Sequence, residues 1–123
     1  MKQIVIDLDD TITMNDDSAY TDKPPNIEVI EMLKTYRARG FSIVISTARN
    51  MRTYEGNEGK IIANTVPVII EWLAKHEVPY DEIRVGKPWC GTEGFYVDDK
   101  SIRPKEFTSL SYEQIIELIN DRS

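Results

Sequence analysis

The sequence predicts an α/β fold, a three-layer Rossmann-like sandwich around a central parallel sheet. Three observations carry that expectation. Short β-branched runs alternate with stretches of helical periodicity, and such alternation gives right-handed crossovers and a parallel sheet covered on both faces. The runs are continuously apolar, as in strands buried on both sides. Each run also ends in residues that carry chemistry, and ligands of open parallel sheets bind beyond the carboxyl ends of the strands.

Gln3 to Ile6 is the first strand, and it runs straight into Asp7, Asp9 and Asp10. Carboxylates this close repel and resist losing water, so either a positive group sits among them or they lie on a solvated loop. Thr11 to Pro25 is polar and acidic and ends in Pro-Pro, which makes it a loop or small flap. Asn26 N-caps the first helix, with Glu28 in its opening turn and Ile27, Ile30, Leu33 and Tyr36 on its inner face. Gly40 stops it where a left-handed residue is wanted. Phe41 to Ile45 is the second strand and ends in Ser46-Thr47-Ala48-Arg49.

Asn50 to Lys60 reads as a polar loop. Val66, Ile69, Ile70 and Leu73 then mark a second helix, which tolerates Pro67 only in its first turn. Ile83 to Val85 is the third strand, followed by Gly86-Lys87-Pro88, and Gly94 to Val97 the fourth, followed by Asp98-Asp99. Ile115, Ile116, Leu118 and Ile119 mark a C-terminal helix.

A chain of 123 residues is expected to form one domain, residues 1–123. Its 41% apolar and 29% charged residues are those of a soluble globular protein. A net charge of -6 argues against a nucleic-acid partner but not against a small anionic substrate. The single cysteine, Cys90, cannot close an internal disulfide and fits a reducing compartment. No apolar run approaches the ~18 residues of a membrane span, and no signal-peptide pattern opens the chain. A cytoplasmic protein with no membrane contact is expected.

The strand ends bring Asp7, Asp9, Ser46, Thr47, Lys87, Asp98 and Asp99 to one edge of the sheet. An oxygen-rich set of this kind suits Mg²⁺, which takes carboxylates, water and phosphate oxygens. The cation would offset the repulsion among the acids, and Lys87 would then make the pocket receptive to an anion. A phosphoryl group fits, since it needs a cation, a lysine and hydroxyl or backbone donors. A carboxylate near phosphorus can also act as nucleophile.

The segments Asp7-Leu8-Asp9-Asp10-Thr11, Ser46-Thr47, Lys87 and Tyr96-Val97-Asp98-Asp99 resemble, in order, the four motifs of the haloacid dehalogenase-like phosphohydrolases. The stretches STARNMRTYEGN and VGKPWCG look like those of small phosphatases of bacterial capsular polysaccharide biosynthesis. The resemblance implies a Mg²⁺-dependent phosphatase acting on a phosphomonoester, a sugar phosphate by preference. It implies Asp7 as nucleophile, Asp9 as general acid and base, Thr47 (or Ser46) on a phosphoryl oxygen and Lys87 bridging Asp7 and the phosphoryl group. The metal would be held by Asp7, the backbone carbonyl of Asp9, and Asp99 or Asp98. Thr11, Ser46, Arg49 and Trp89 are the candidate substrate contacts.

Two departures stand out. The family usually has glycine where this chain has Asp10. Many relatives also insert a cap domain, for which this chain has no room. A capless site is open, so either the substrate is large or a neighbouring subunit of a homo-oligomer covers it.

Each of these residues has a plainer reading. Asp7 and Asp9 could close a strand in an acidic turn, Thr47 could cap a helix, and Lys87 and Asp98-Asp99 could be solvated loop charges. Arg49 and Arg52 could be solvated too, and Trp89 could serve packing. His76 reads as a surface residue favourable to the helix dipole. The competing function class is a phosphate-binding signalling module without turnover, either receiver-like or degenerate. A receiver needs its aspartate after the third strand, yet no aspartate lies between Thr47 and Lys75.

Overall fold

The computed structural model describes residues 1–121. It divides into two compact units, Met1–Trp89 and Cys90–Ser123, each described by itself.

The first unit is a mixed α/β structure on a three-stranded parallel sheet in the order β1-β2-β3. Strand β1 (Gln3–Ile6) pairs with β2 (Ser42–Ser46), Ile6 opposite Ile45. Strand β2 pairs in turn with β3 (Glu82–Arg84), Ser46 opposite Arg84. Parallel pairing in this register brings the carboxyl ends of all three strands to one edge, where Asp7, Thr47 and the Gly86-Lys87 segment follow. Ile43, Val44 and Ile45 of the central strand are all buried, as its continuous apolar run requires. The strand bounds fall one residue from those expected, within the ordinary fraying of element ends.

Helix α1 (Ile27–Ala38) begins at Asn26, whose side chain accepts from the Val29 N–H. It ends at Gly40, where φ is +91° and Phe41 N–H reaches back to the Tyr36 carbonyl. Its inner face is Val29, Ile30, Leu33 and Tyr36, with Ile27 exposed. That corrects the expected face by one residue. At 100° per residue a strict three-residue spacing drifts around the helix, and Ile27 falls about 120° from Leu33 while Val29 falls about 40° from it.

The Asn50–Lys60 loop is shorter than expected, because helix α2 (Glu58–Asn64) starts inside it under an Asn57 cap. Its polar start, Glu58-Gly59-Lys60, hides the helix from a hydrophobic-pattern reading. Helix α3 (Val66–Lys75) follows after Thr65 and holds Pro67 in its first turn. Ile61, Ile69, Trp72 and Leu73 are buried. The Trp72 indole N–H donates to the Lys23 carbonyl at 2.9 Å, tying the loop after β1 to α3. That loop is closed by a bridge between Thr13 and Pro25 and carries a 3-10 turn at Tyr20–Asp22. His76 caps the end of α3 and stacks on Trp72 at 4.4 Å. Desolvation and then the Lys75 charge lower its proton affinity.

The second unit holds helices α4 (Pro104–Ser109) and α5 (Tyr112–Ile119). Ser111 and Gln114 form a capping box at the start of α5. Gly94 to Val97 is not a strand, which corrects the expected fourth one; Phe95 and Val97 are exposed. Aromatic and β-branched residues supply only the preference, and a strand exists through its pairing partner. Among the described residues no helix is long and apolar enough to cross a membrane.

Candidate functional site

Beyond Ile6 the chain turns sharply. The Leu8 carbonyl accepts from Thr11, Ile12 and Thr13 N–H at 3.3, 2.9 and 3.1 Å. Leu8 and Ile12 are buried beneath this turn, so it is anchored by apolar packing. Asp10 sits at its crest with φ +63°, and its N–H donates to the Thr13 hydroxyl at 3.0 Å. Asp is among the few non-glycine residues that tolerate this conformation. Glycine would adopt this backbone freely, and aspartate still fits it.

The turn fixes the direction of Asp7. Its Oδ2 accepts from the Thr11 hydroxyl at 3.2 Å, and its Oδ1 lies 3.5 Å from Lys87 Nζ. Desolvation raises the Asp7 carboxyl above its ordinary range, against the opposing pull of Lys87 and the Thr11 hydrogen bond; the Asp9 charge adds a smaller push upward. A raised, partly desolvated carboxylate beside a lysine is an arrangement that functional sites favour.

Lys87 reaches this position through backbone constraints. Thr47 N–H donates to the Arg84 carbonyl at 2.9 Å, and Lys87 N–H donates to the Thr47 carbonyl at 3.2 Å, so the end of β2 holds the loop after β3. Gly86 has φ +87°, and a Cβ there would overlap the Glu58 carboxylate, with Cδ only 2.9 Å away. The start of α2 therefore packs directly onto the residue preceding Lys87. Arg52 lies over the Trp89 ring at 5.7 Å, so the 50–60 segment flanks both ends of the Lys87 loop. Trp89 itself remains half exposed.

Asp9 has a cation of its own. Arg49 grips it with both arms of the guanidinium, Nη2 to Oδ1 at 2.7 Å and Nε to Oδ2 at 3.1 Å. The Arg49 side chain is 1% exposed, that of Asp9 29%. The guanidinium stacks on the Tyr20 ring at 4.0 Å, and Nη1 is buried without a hydrogen-bond partner among the described residues. Arg49 N–H also donates to the Thr47 hydroxyl at 3.0 Å. Of the two expectations for Arg49, a substrate contact or a solvated loop charge, burial excludes the second, and the guanidinium lies on Asp9. Arg49 stands just past the end of β2, the strand next to the one that presents Asp9.

The clustered acids are thus balanced by the protein itself, Asp7 by Lys87 and Asp9 by Arg49, while Asp10 is solvent-exposed. The structure brings together Asp7, Asp9, Thr11, Thr47, Arg49 and Lys87. Ser46 closes β2 one residue beyond the Ile6–Ile45 pair.

Asp98 and Asp99 belong to the second unit. There Asp98 accepts from Lys100 N–H at 3.0 Å, which together with an Asp99 contact lowers its carboxyl below the ordinary range. Both line a cleft with Glu106 and Asp121. Among the described residues no three His, Cys, Asp or Glu side chains are grouped to hold a metal ion.

No protein-family profile and no curated protein matches the chain. Among solved structures, the crystal structure of a target protein from Vibrio cholerae is 58% identical and superposes with a TM-score of 0.95 over 97% of each chain. A chain of the Pnkp1/Rnl/Hen1 complex, 20% identical, superposes with a TM-score of 0.51 over 89% of this chain and 35% of that one. The second likeness is one of fold alone.

Proposed function

For a chain that belongs to one family with the Vibrio cholerae protein, we propose a Mg²⁺-dependent phosphomonoesterase of haloacid dehalogenase-like type, working through an aspartyl-phosphate. The observation that carries this reading is Asp7 at the carboxyl end of β1, set between Lys87 Nζ at 3.5 Å and the Thr11 hydroxyl at 3.2 Å. A carboxylate so placed is partly desolvated and has a cation beside it for the phosphoryl oxygens.

An Asp7 oxygen attacks phosphorus, the bond from phosphorus to the leaving oxygen breaks, and that oxygen takes its proton from Asp9, which carries one only once substrate binding frees one of its oxygens from the Arg49 fork. Asp9, now a carboxylate, takes a proton from water as the water oxygen attacks phosphorus, which releases phosphate and restores Asp7. Lys87 neutralises charge on the phosphoryl oxygens. The Thr47 hydroxyl accepts from Arg49 N–H at 3.0 Å and the residue is only 1% exposed, so a phosphoryl oxygen reaches it only if substrate binding opens the end of β2.

The all-oxygen donor set at the end of β1 suits Mg²⁺, which commonly needs only one or two carboxylates with water and substrate oxygens. Because Arg49 occupies the Asp9 carboxylate, Asp7 and the Asp9 backbone carbonyl are the donors this turn offers. When bound, the ion would offset charge on the transferring phosphoryl group.

The finer reading is a capless three-layer sandwich with an open site, a sugar phosphate as substrate, and a place in capsular polysaccharide synthesis. The half-exposed Trp89 beside Lys87 supports a sugar ring, whose apolar face an indole can cover.

The test is release of inorganic phosphate from a panel of sugar phosphates, nucleotides and 4-nitrophenyl phosphate, with Mg²⁺ and with chelator. Turnover that needs Mg²⁺ and disappears in Asp7→Asn supports the reading. Folded wild type that binds phosphate but hydrolyses nothing would make the chain a phosphate-binding module instead.

A further inference from the structure

We infer that Arg49 is the positioning residue of Asp9, and that Tyr20, on the loop after β1, is the brace that holds Arg49 in place. The inference rests on the phosphatase reading and adds to it two residues that act through Asp9.

The geometry is specific. Two donors of one planar guanidinium meet both oxygens of Asp9, at 2.7 and 3.1 Å, and this fork fixes the plane of the carboxylate as well as its place. The guanidinium stays beside Asp9, because its side chain is 1% exposed and its face is covered by the Tyr20 ring at 4.0 Å; when Asp9 carries the proton one of the two bonds opens, and the other still orients the carboxyl. Its backbone is pinned too, through the Arg49 N–H bond to Thr47.

Burying this charge is expensive, and Nη1 is left without a partner among the described residues. A merely structural role would be met more cheaply by an apolar side chain. A bidentate buried arginine on a half-buried acid, two residues past the nucleophile position, is an orienting device.

Tyr20 extends the device to the loop. Its ring is 41% exposed, so it lies where the loop meets solvent while its face rests on the guanidinium. The order of Asp9 thus depends on the loop from Thr11 to Pro25 being folded down, an order secured at its far end by the Trp72 bond to Lys23.

The readout is leaving-group selectivity. Departure of an alkoxide from a sugar phosphate needs the Asp9 proton, whereas 4-nitrophenolate leaves without it. Because kcat/KM reports events up to that departure, it isolates the step. Asp9→Asn sets the reference, lowering kcat/KM for the fastest sugar phosphate of the panel while largely sparing 4-nitrophenyl phosphate.

Arg49→Gln is expected to lower kcat/KM for the same sugar phosphate by about 100-fold, the scale of general acid catalysis, and to leave the aryl ester nearly unchanged. Combined with Asp9→Asn it should add little, since both act on one proton transfer. Arg49→Lys, which keeps charge but loses the fork, and Tyr20→Ala, a change at a partly exposed position, should show the same selectivity to a smaller degree. These two also carry the test if Arg49→Gln does not fold. In NMR, the Arg49 Nε–H should be protected from exchange in wild type and lose that protection in Asp9→Ala.

Equal loss on both esters would make Arg49 a structural residue and overturn the inference. So would aryl turnover by wild type without turnover of any sugar phosphate. Wild type that hydrolyses no ester overturns the phosphatase reading itself.

Discussion

Lys87 Nζ stands 3.5 Å from Asp7 Oδ1, a charge pair drawn from opposite ends of the first unit's chain. It only partly compensates Asp7, because the carboxyl remains above its ordinary range with desolvation as the leading cause.

That residual cost predicts a gain in stability from Asp7→Asn. An acid whose folded value is raised binds protons more readily in the folded state, so stability falls as pH rises from the ordinary value of 3.8 through the folded one. The cost is present in full above the folded value. Thermal unfolding in chelator should therefore show Asp7→Asn melting higher than wild type at pH 7, with the difference closing below pH 3.8. Mg²⁺ should raise the melting temperature of wild type and not of the variant. A variant that melts lower than wild type at pH 7 would contradict the desolvation account.

Asp10 gives a prediction on backbone alone. With φ +63° it occupies a region in which most side chains are strained. Asp10→Gly should leave stability equal or slightly higher in urea unfolding. Asp10→Val, β-branched and without a local hydrogen-bonding group, should cost about 1–3 kcal/mol. Equal midpoints for the two variants would show that the turn relaxes.

Gly86 and Glu58 predict a partial rescue. Gly86→Ala meets two separate obstacles, the φ of +87° and the Glu58 side chain. Adding Glu58→Ala removes the second and leaves the first, so the double variant should recover some stability and not all of it. Because Lys87 follows directly, Gly86→Ala should also lower turnover beyond what its stability loss explains. Full recovery in the double variant would mean that the backbone strain is negligible.

The elements carried by strong apolar patterns were legible in the sequence: β1, β2, β3, α1, α3 and α5, with Asn26 and Gly40 as signals at the two ends of α1. So was the meeting of Asp7, Thr47 and Lys87 at strand ends, because in a parallel sheet the carboxyl ends share an edge whatever the loops do. Helix α2 was hidden by its polar first turn, and α4 is short and sits on a single buried residue, Phe107. Gly94 to Val97 carries the preference of a strand without the pairing that defines one.

What the sequence determined by itself was the periodicity and the order of chemical groups, since both follow from local spacing along the chain. What tertiary structure alone decided was which charge meets which. Arg49 is forty residues from Asp9 in the chain, and nothing in its neighbours distinguishes a solvated loop arginine from a buried one. Only the register of β2 on β1, and the Tyr20 ring folded over the guanidinium, remove it from water and turn it onto a carboxylate.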